Sequence, residues 1–106
     1  MATTFDEREE GFEKLFAHDE ELRFKAIARR NKMLGLWAAG ILGKSGADAE
    51  AYAKDVVMAE FEAGGDNDVV RKVATDLQAK GITEAQIRTK MTELLAQAVA
   101  QVKKSG

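Results

Sequence analysis

Apolar residues recur at helical spacing in four stretches of this chain. Met33, Leu34, Trp37 and Ile41 stand at i, i+1, i+4 and i+8, the spacing of a buried helical stripe. They predict a helix from Asp19 to Leu42, stopped by Gly43, with Gly43-Lys44-Ser45-Gly46 as a tight turn. A second helix is predicted from about Asp48, a candidate cap, to Glu62, carrying Tyr52, Val56, Ala59 and Phe61, with Gly64-Gly65 ending it. A third begins at Asp66-Asn67-Asp68, three candidate caps in a row, repeats Val69, Val70, Val73 and Leu77, and closes at Gly81. The fourth is the clearest. Thr83 and Gln86 form a T-x-x-Q capping box, and Ile82 and Ile87 occupy the staple positions. Ile87, Met91, Leu94, Leu95, Ala98 and Val102 then make one continuous stripe. None of the last three helices can bury its stripe alone, and their short connections imply antiparallel neighbours. The expected fold is all-α, a small four-helix bundle.

The N-terminal residues do not fit inside that bundle. Phe5, Phe12 and Phe16 fall within a narrow arc of one helical face, with Leu15 beside it. Between Thr4 and Leu42 the only helix-weakening residues are Gly11, Gly35 and Gly40. A helix from Phe5 to Leu42 would be about 57 Å long, against a diameter of roughly 33 Å for a domain of this size. The first half must project, fold back or be disordered. It is strongly charged, contains Gly11 and has too few apolar residues for a core of its own. Disorder or fraying is therefore expected before about residue 18 in the free protein, which divides the chain into a mobile arm over 1–18 and a bundle over 19–106.

Three phenylalanines on such an arm have nothing within it to bury against. They dock on the bundle, or they anchor a helix in a partner's groove. Ordering about 15 residues costs roughly 15–30 kcal/mol, whereas burying three Phe returns roughly 5–9 kcal/mol. Anchors alone cannot hold the arm, so a partner must enclose most of the helix in a deep cleft. Basic residues lining that cleft would suit the acidic arm.

Composition narrows the picture. The 106 residues include no Cys and no Pro, and the net charge is −2. One domain is expected. Disulfides, zinc–thiolate sites and thiol catalysis are excluded, and a generic nucleic-acid binder would be basic. No secretion signal is apparent at the N-terminus. The longest uncharged run, Met33 to Gly43, has eleven residues, short of the roughly 20 a membrane span needs, so a soluble, cytoplasmic protein without direct membrane contact is expected. Charge is unevenly spread: eight acids and two bases lie between Asp6 and Leu22, then five bases (Arg23, Lys25, Arg29, Arg30, Lys32) and no acid up to Lys32. Acids before bases suit the helix dipole, and Asp19–Arg23 and Glu21–Lys25 are favourable i,i+4 pairs. A solvated charged face accounts for this pattern.

Catalytic constellations fail. His18 is the only histidine, and Ser45 and Ser105 are the only serines; they offer no nucleophile–base pair. His18 beside Asp19 and Glu21 lacks the second nitrogen or sulfur ligand a metal site needs. It reads as a plain exposed helix histidine, the alternative being a pH-dependent modulator of an interaction. Gly43-Lys44-Ser45 resembles the end of a phosphate loop, G-x-x-x-x-G-K-[ST], but Ala38 stands where the first glycine belongs and Gly43 ends a helix instead of opening one.

The run Phe16 to Gly43, reading FAHDxELxFKxxARRNKxLGxWAAxxLG, closely resembles the zeta subunits of alphaproteobacterial F-type ATP synthases. The resemblance extends through the Asp66-Asn67-Asp68 and Gly81-Ile82-Thr83 turns over essentially the whole chain. It implies an inhibitor of ATP hydrolysis, not an enzyme. Its arm would wedge as a helix between a catalytic β subunit and its α neighbour in the F1 sector, reaching toward the rotating γ subunit. On this resemblance Phe5, Asp6, Arg8, Glu9, Phe12, Phe16 and His18 occupy inhibitory-arm positions, and Trp37 belongs to the bundle. Gly11 beside Phe12 is a small departure from the family pattern. No catalytic residue, metal, cofactor or nucleic-acid partner is implied; weak adenine-nucleotide binding is associated with some members, at a site these residues do not place. The competing reading is a helical adaptor or small-ligand (nucleotide) binding module, in which the arm is dispensable.

Overall fold

The computed structural model describes residues 20–105, and the expectations for the arm over 1–18, its mobility included, lie outside them. Four helices follow in order: α1 (Glu20–Ile41), α2 (Gly46–Ala59), α3 (Asp66–Leu77), extended by a 3-10 turn (Gln78–Lys80), and α4 (Glu84–Ser105). The all-α, four-helix class is the observed one. Among the described residues no strand occurs.

α1 stops as its sequence dictates. Gly43 takes φ +79°, its N–H donates to the Gly40 carbonyl at 3.1 Å, and Lys44 N–H donates to the Ala39 carbonyl at 2.9 Å. These are the two bonds of a Schellman motif, which needs a left-handed residue at that position. Gly43-Lys44-Ser45 is therefore a helix C-terminus, where carbonyls point outward, and not a phosphate loop.

α2 begins earlier than expected. Ser45 is its N-cap, without a side-chain cap bond. Asp48 instead sits in the first turn, where its charge still favours the positive helix pole. The helix also ends sooner, at Ala59, which leaves Phe61 just beyond it, exposed rather than on the buried stripe.

The three candidate caps of α3 do other work. Gly65 occupies the N-cap position. The Asp68 carboxylate accepts from Gly64 N–H at 2.8 Å, Asn67 accepts from Arg88 at 3.2 Å, and Asp66 accepts from Arg30. At α4 the capping box forms as read: Thr83 N–H donates to Gln86 Oε1 at 2.8 Å, and Gln86 N–H donates to Thr83 Oγ1 at 3.2 Å.

The core holds Leu34, Ala38 and Ala39 of α1, Tyr52 and Val56 of α2, Val69, Val70, Val73 and Leu77 of α3, and Ile87, Met91 and Leu94 of α4. Met33, Trp37 and Ile41 flank it, partly buried. α1 packs most extensively against α2 and α4. It is antiparallel to both: Arg29 reaches Gln101 while Lys90 sits over the Trp37 ring, and Phe24 meets Phe61 while Gly35 lies against Ala53. This last contact is very close. A Cβ on Gly35 would stand 2.5 Å from the Ala53 Cα, so this glycine, which reads in the sequence only as a helix weakener, is where the two backbones meet.

Candidate functional site

The residues expected to touch a partner, Phe5, Asp6, Arg8, Glu9, Phe12, Phe16 and His18, all lie outside the described residues. The structure describes the helix into which they lead and the surface around its first turns.

The first half of α1 is held by a polar cluster. Arg30 is only 4% exposed and Asn31 is fully buried, although Arg30 belongs to the basic run that reads as a solvated face. Their positions explain this. Ala26, Arg30 and Leu34 repeat every four residues on the buried side of α1. The guanidinium is satisfied on all sides: Nε donates to Asn31 Oδ1 at 3.0 Å, one terminal nitrogen to Asp66 at 3.3 Å, and the other to Glu60 at 3.0 Å and Asp66 at 2.6 Å. Asn31 Nδ2 donates to the same Glu60 oxygen at 2.8 Å. Among the described residues no buried side-chain nitrogen or oxygen lacks a partner. The cluster ties α1 to the end of α2 and the start of α3.

The two carboxylates of the cluster titrate in opposite directions. Burial, reinforced by the nearby Asp66 charge, pushes Glu60 above its ordinary value, despite the Asn31 hydrogen bond and the Arg30 charge. Asp66 feels burial as well, but the Arg30 hydrogen bond and charge outweigh it and hold its carboxyl below the usual range. A second, part-buried polar contact ties α2 to α3, where Tyr52 OH donates to Asp76 at 2.7 Å. Burial first, and then this bond to a carboxylate, raise the Tyr52 hydroxyl well above its ordinary value. It stays a neutral donor.

The cluster also shapes the surface beside it. Glu60, clamped by Arg30 and Asn31, is followed by Phe61, whose ring lies 5.7 Å from that of Phe24 in a tilted arrangement, within the range of favourable aromatic pairs. Both rings are more than half exposed, Phe24 at 54% and Phe61 at 58%, and Met58, one turn earlier, is exposed to the same degree. The sequence offers no signal for this pair: Phe61 reads as core because the early end of α2 is not apparent from spacing.

A separate open groove of about 540 Å³ between α3 and α4 is lined by Asn67, Arg71, Thr75, Gln78, Glu84 and Arg88. Its two arginines are engaged, Arg71 with Asp68 at 3.0 Å and Arg88 with Glu84 at 3.1 Å. Among the described residues no cluster of three or more His, Asp or Glu could hold a metal ion, and no helix is long and apolar enough to cross a membrane.

Four helices packed around one apolar core, with every buried side-chain polar atom of the described residues satisfied, define a small all-α protein. The chain belongs to the ATPase inhibitor subunit zeta family, whose model matches residues 1–101. The family is one of ATPase inhibitor subunits, which gives the chain a regulatory role with an ATPase as its partner. A structure solved in solution by NMR is 52% identical, covers 80% of this chain and 99% of its own, and superposes with a TM-score of 0.71. No curated protein matches the chain.

Proposed function

We propose that this chain inhibits ATP hydrolysis by the F1 sector of a bacterial ATP synthase, through residues 1–18 inserted as a helix at a catalytic α/β interface. Family membership over residues 1–101, which includes the arm positions, carries this reading. In it Phe5, Phe12 and Phe16 are the apolar anchors, Asp6, Arg8 and Glu9 face charged walls of the cleft, His18 stands at its mouth, and residues 19–106 remain outside. A rotary ATPase turns over by opening and closing that cleft. A helix that fits one of its conformations better than the others shifts the motor into that state and stops it without any chemistry by the inhibitor.

The test is titration of F1 hydrolysis with the full chain and with a chain lacking residues 1–14. The full chain is expected to inhibit, and the shortened one to lose inhibition while melting at nearly the same temperature. Equal inhibition by the two chains would refute the arm mechanism. Saturating full chain that leaves hydrolysis unchanged would favour the adaptor or small-ligand module instead.

A further inference from the structure

We propose that Glu60 and Asp66 share a single proton, held as an acid–carboxylate hydrogen bond across the base of the α2–α3 connection, and that losing this proton loosens the connection. The device is built into the bundle and does not depend on the inhibitory reading above.

Two carboxylates here face one cation. Glu60 Oε1 and Asp66 Oδ1 accept from the same Arg30 Nη2, at 3.0 Å and 2.6 Å. Among the described residues no second cation forms an ion pair with either carboxylate. Arg88, on α4, reaches Asp66 only through its charge, being bonded itself to Asn67 and Glu84. Fully ionised, the three groups carry one uncompensated negative charge against the buried Arg30 and Asn31 side chains, and an excess charge withdrawn from water is costly. The two carboxyl groups also lie within hydrogen-bonding reach of each other. Ionised carboxylates can only accept. A proton between them turns this approach from a repulsion into a bond, the usual outcome when two carboxyl groups occupy one site. Glu60, the less exposed of the two, carries it on Oε2, since Oε1 already accepts from Arg30 and Asn31.

The position of the pair makes this proton a latch. Glu60 is the residue at which α2 stops, and Asp66 opens α3. Between them the chain turns through Gly64 and Gly65, the latter at φ +55°. Glu60 reaches back across this turn: a Cβ on Gly65 would stand 3.2 Å from Glu60 Oε2. Bonds within the turn are local. Gly65 N–H donates to the Glu62 carbonyl at 3.0 Å, and Gly64 N–H to Asp68, which is also paired with Arg71. When the proton leaves to solvent, two like charges face each other across the ends of a glycine turn. Asp66 keeps its bonds to both terminal nitrogens of Arg30, so α1 and α3 stay joined. Glu60 is the group that yields, and residues 60–65 loosen with it. The connection is tightest in acid and loosens as pH rises above 4.5, the ordinary value of Glu60, through its raised folded value.

The test follows the isotope-labelled full chain by NMR from acid to neutral pH. The Glu60 and Asp66 carboxyl carbons are expected to respond to each other, each showing both steps of a coupled titration, with Glu60 releasing its proton above 4.5. Amide exchange at Gly64 and Gly65, corrected for its intrinsic pH dependence, should accelerate roughly two- to tenfold through the Glu60 step, the loss of one hydrogen bond, while Met91 in α4 is unmoved. In Glu60→Gln the amide nitrogen donates to Asp66 at every pH, so exchange should stay slow throughout. Asp66→Asn leaves Glu60 without a carboxylate partner, and Glu60 should then titrate in a single step at lower pH than in wild type. Two independent single steps in wild type, near 4.5 and 3.8, overturn the shared proton. Coupled steps with unchanged exchange at Gly64 and Gly65 overturn the latch. Acceleration that extends equally to Met91 assigns the change to the whole bundle and overturns the latch as well.

Discussion

Gly35 and Gly40 lie on the same helix, yet replacing each with alanine should change stability in opposite directions. At Gly35 an added Cβ meets the Ala53 Cα at 2.5 Å, the Ala53 Cβ at 3.0 Å and the Val56 Cβ at 3.3 Å. Ordinary van der Waals contact begins near 3.4 Å, so α1 and α2 must separate locally by about 1 Å, and the nearest atom is backbone that no rotamer change can move. Overpacking of this kind costs about 3 kcal/mol, the upper part of its usual range. Alanine returns about 1 kcal/mol in helix propensity. The net loss is about 2 kcal/mol, or roughly 8–16 °C in melting temperature for a domain of this size. At Gly40 nothing lies within 4 Å of the added Cβ. Only the propensity gain remains, reduced to about 0.5 kcal/mol because the site is in the last turn of α1. Thermal melts followed by far-ultraviolet circular dichroism, with urea titrations to convert midpoints into free energies, would measure both. A Gly35→Ala variant that melts at or above wild type would mean that the helices yield without cost at their closest approach.

Three further outcomes follow from the polar cluster and the α4 cap. Arg30→Met should destabilise the domain by about 2–3 kcal/mol in urea unfolding, below the range for a fully enclosed ion pair because Asp66 is half-exposed; a loss under about 0.5 kcal/mol would mean the cluster is dispensable. Glu60→Gln keeps an oxygen for Arg30 and Asn31 but removes the titration. Because the folded value of Glu60 is raised above its ordinary 4.5, the folded state holds this proton after the unfolded chain has released it. Its contribution to stability is therefore full below 4.5 and declines as pH rises through the folded value. Asp66, depressed below 3.8, contributes above 3.8 and loses that contribution as pH falls through its own folded value. The variant should gain on wild type as pH rises from 4.5, and parallel stability–pH curves would contradict the assignment. Thr83→Ala should cost about 1 kcal/mol by removing the oxygen that accepts from Gln86 N–H; a double-mutant cycle with Gln86→Ala should return a coupling energy, and strict additivity would argue against the reciprocal box.

The elements that residue spacing alone determined are those governed by local rules. The α4 box at Thr83 and Gln86, the stop at Gly43 and the valine stripe of α3 depend on hydrogen bonds and side-chain periods within a few residues, and each stands where the sequence puts it. The family likewise was legible in the run from Phe16 to Gly43. What local rules could not supply depends on which surfaces meet. Arg30 looks like one base in a solvated run until Glu60 and Asp66, distant in sequence, close around it. Asp66 looks like a cap until Arg30 claims its carboxylate. Gly35 looks like a flaw until α2 arrives against it, and Phe61 looks like core until α2 ends one turn short and leaves the ring on Phe24. In each case a local preference of about 1 kcal/mol gives way to a contact between distant segments, where a buried charge or a backbone collision is worth several times as much.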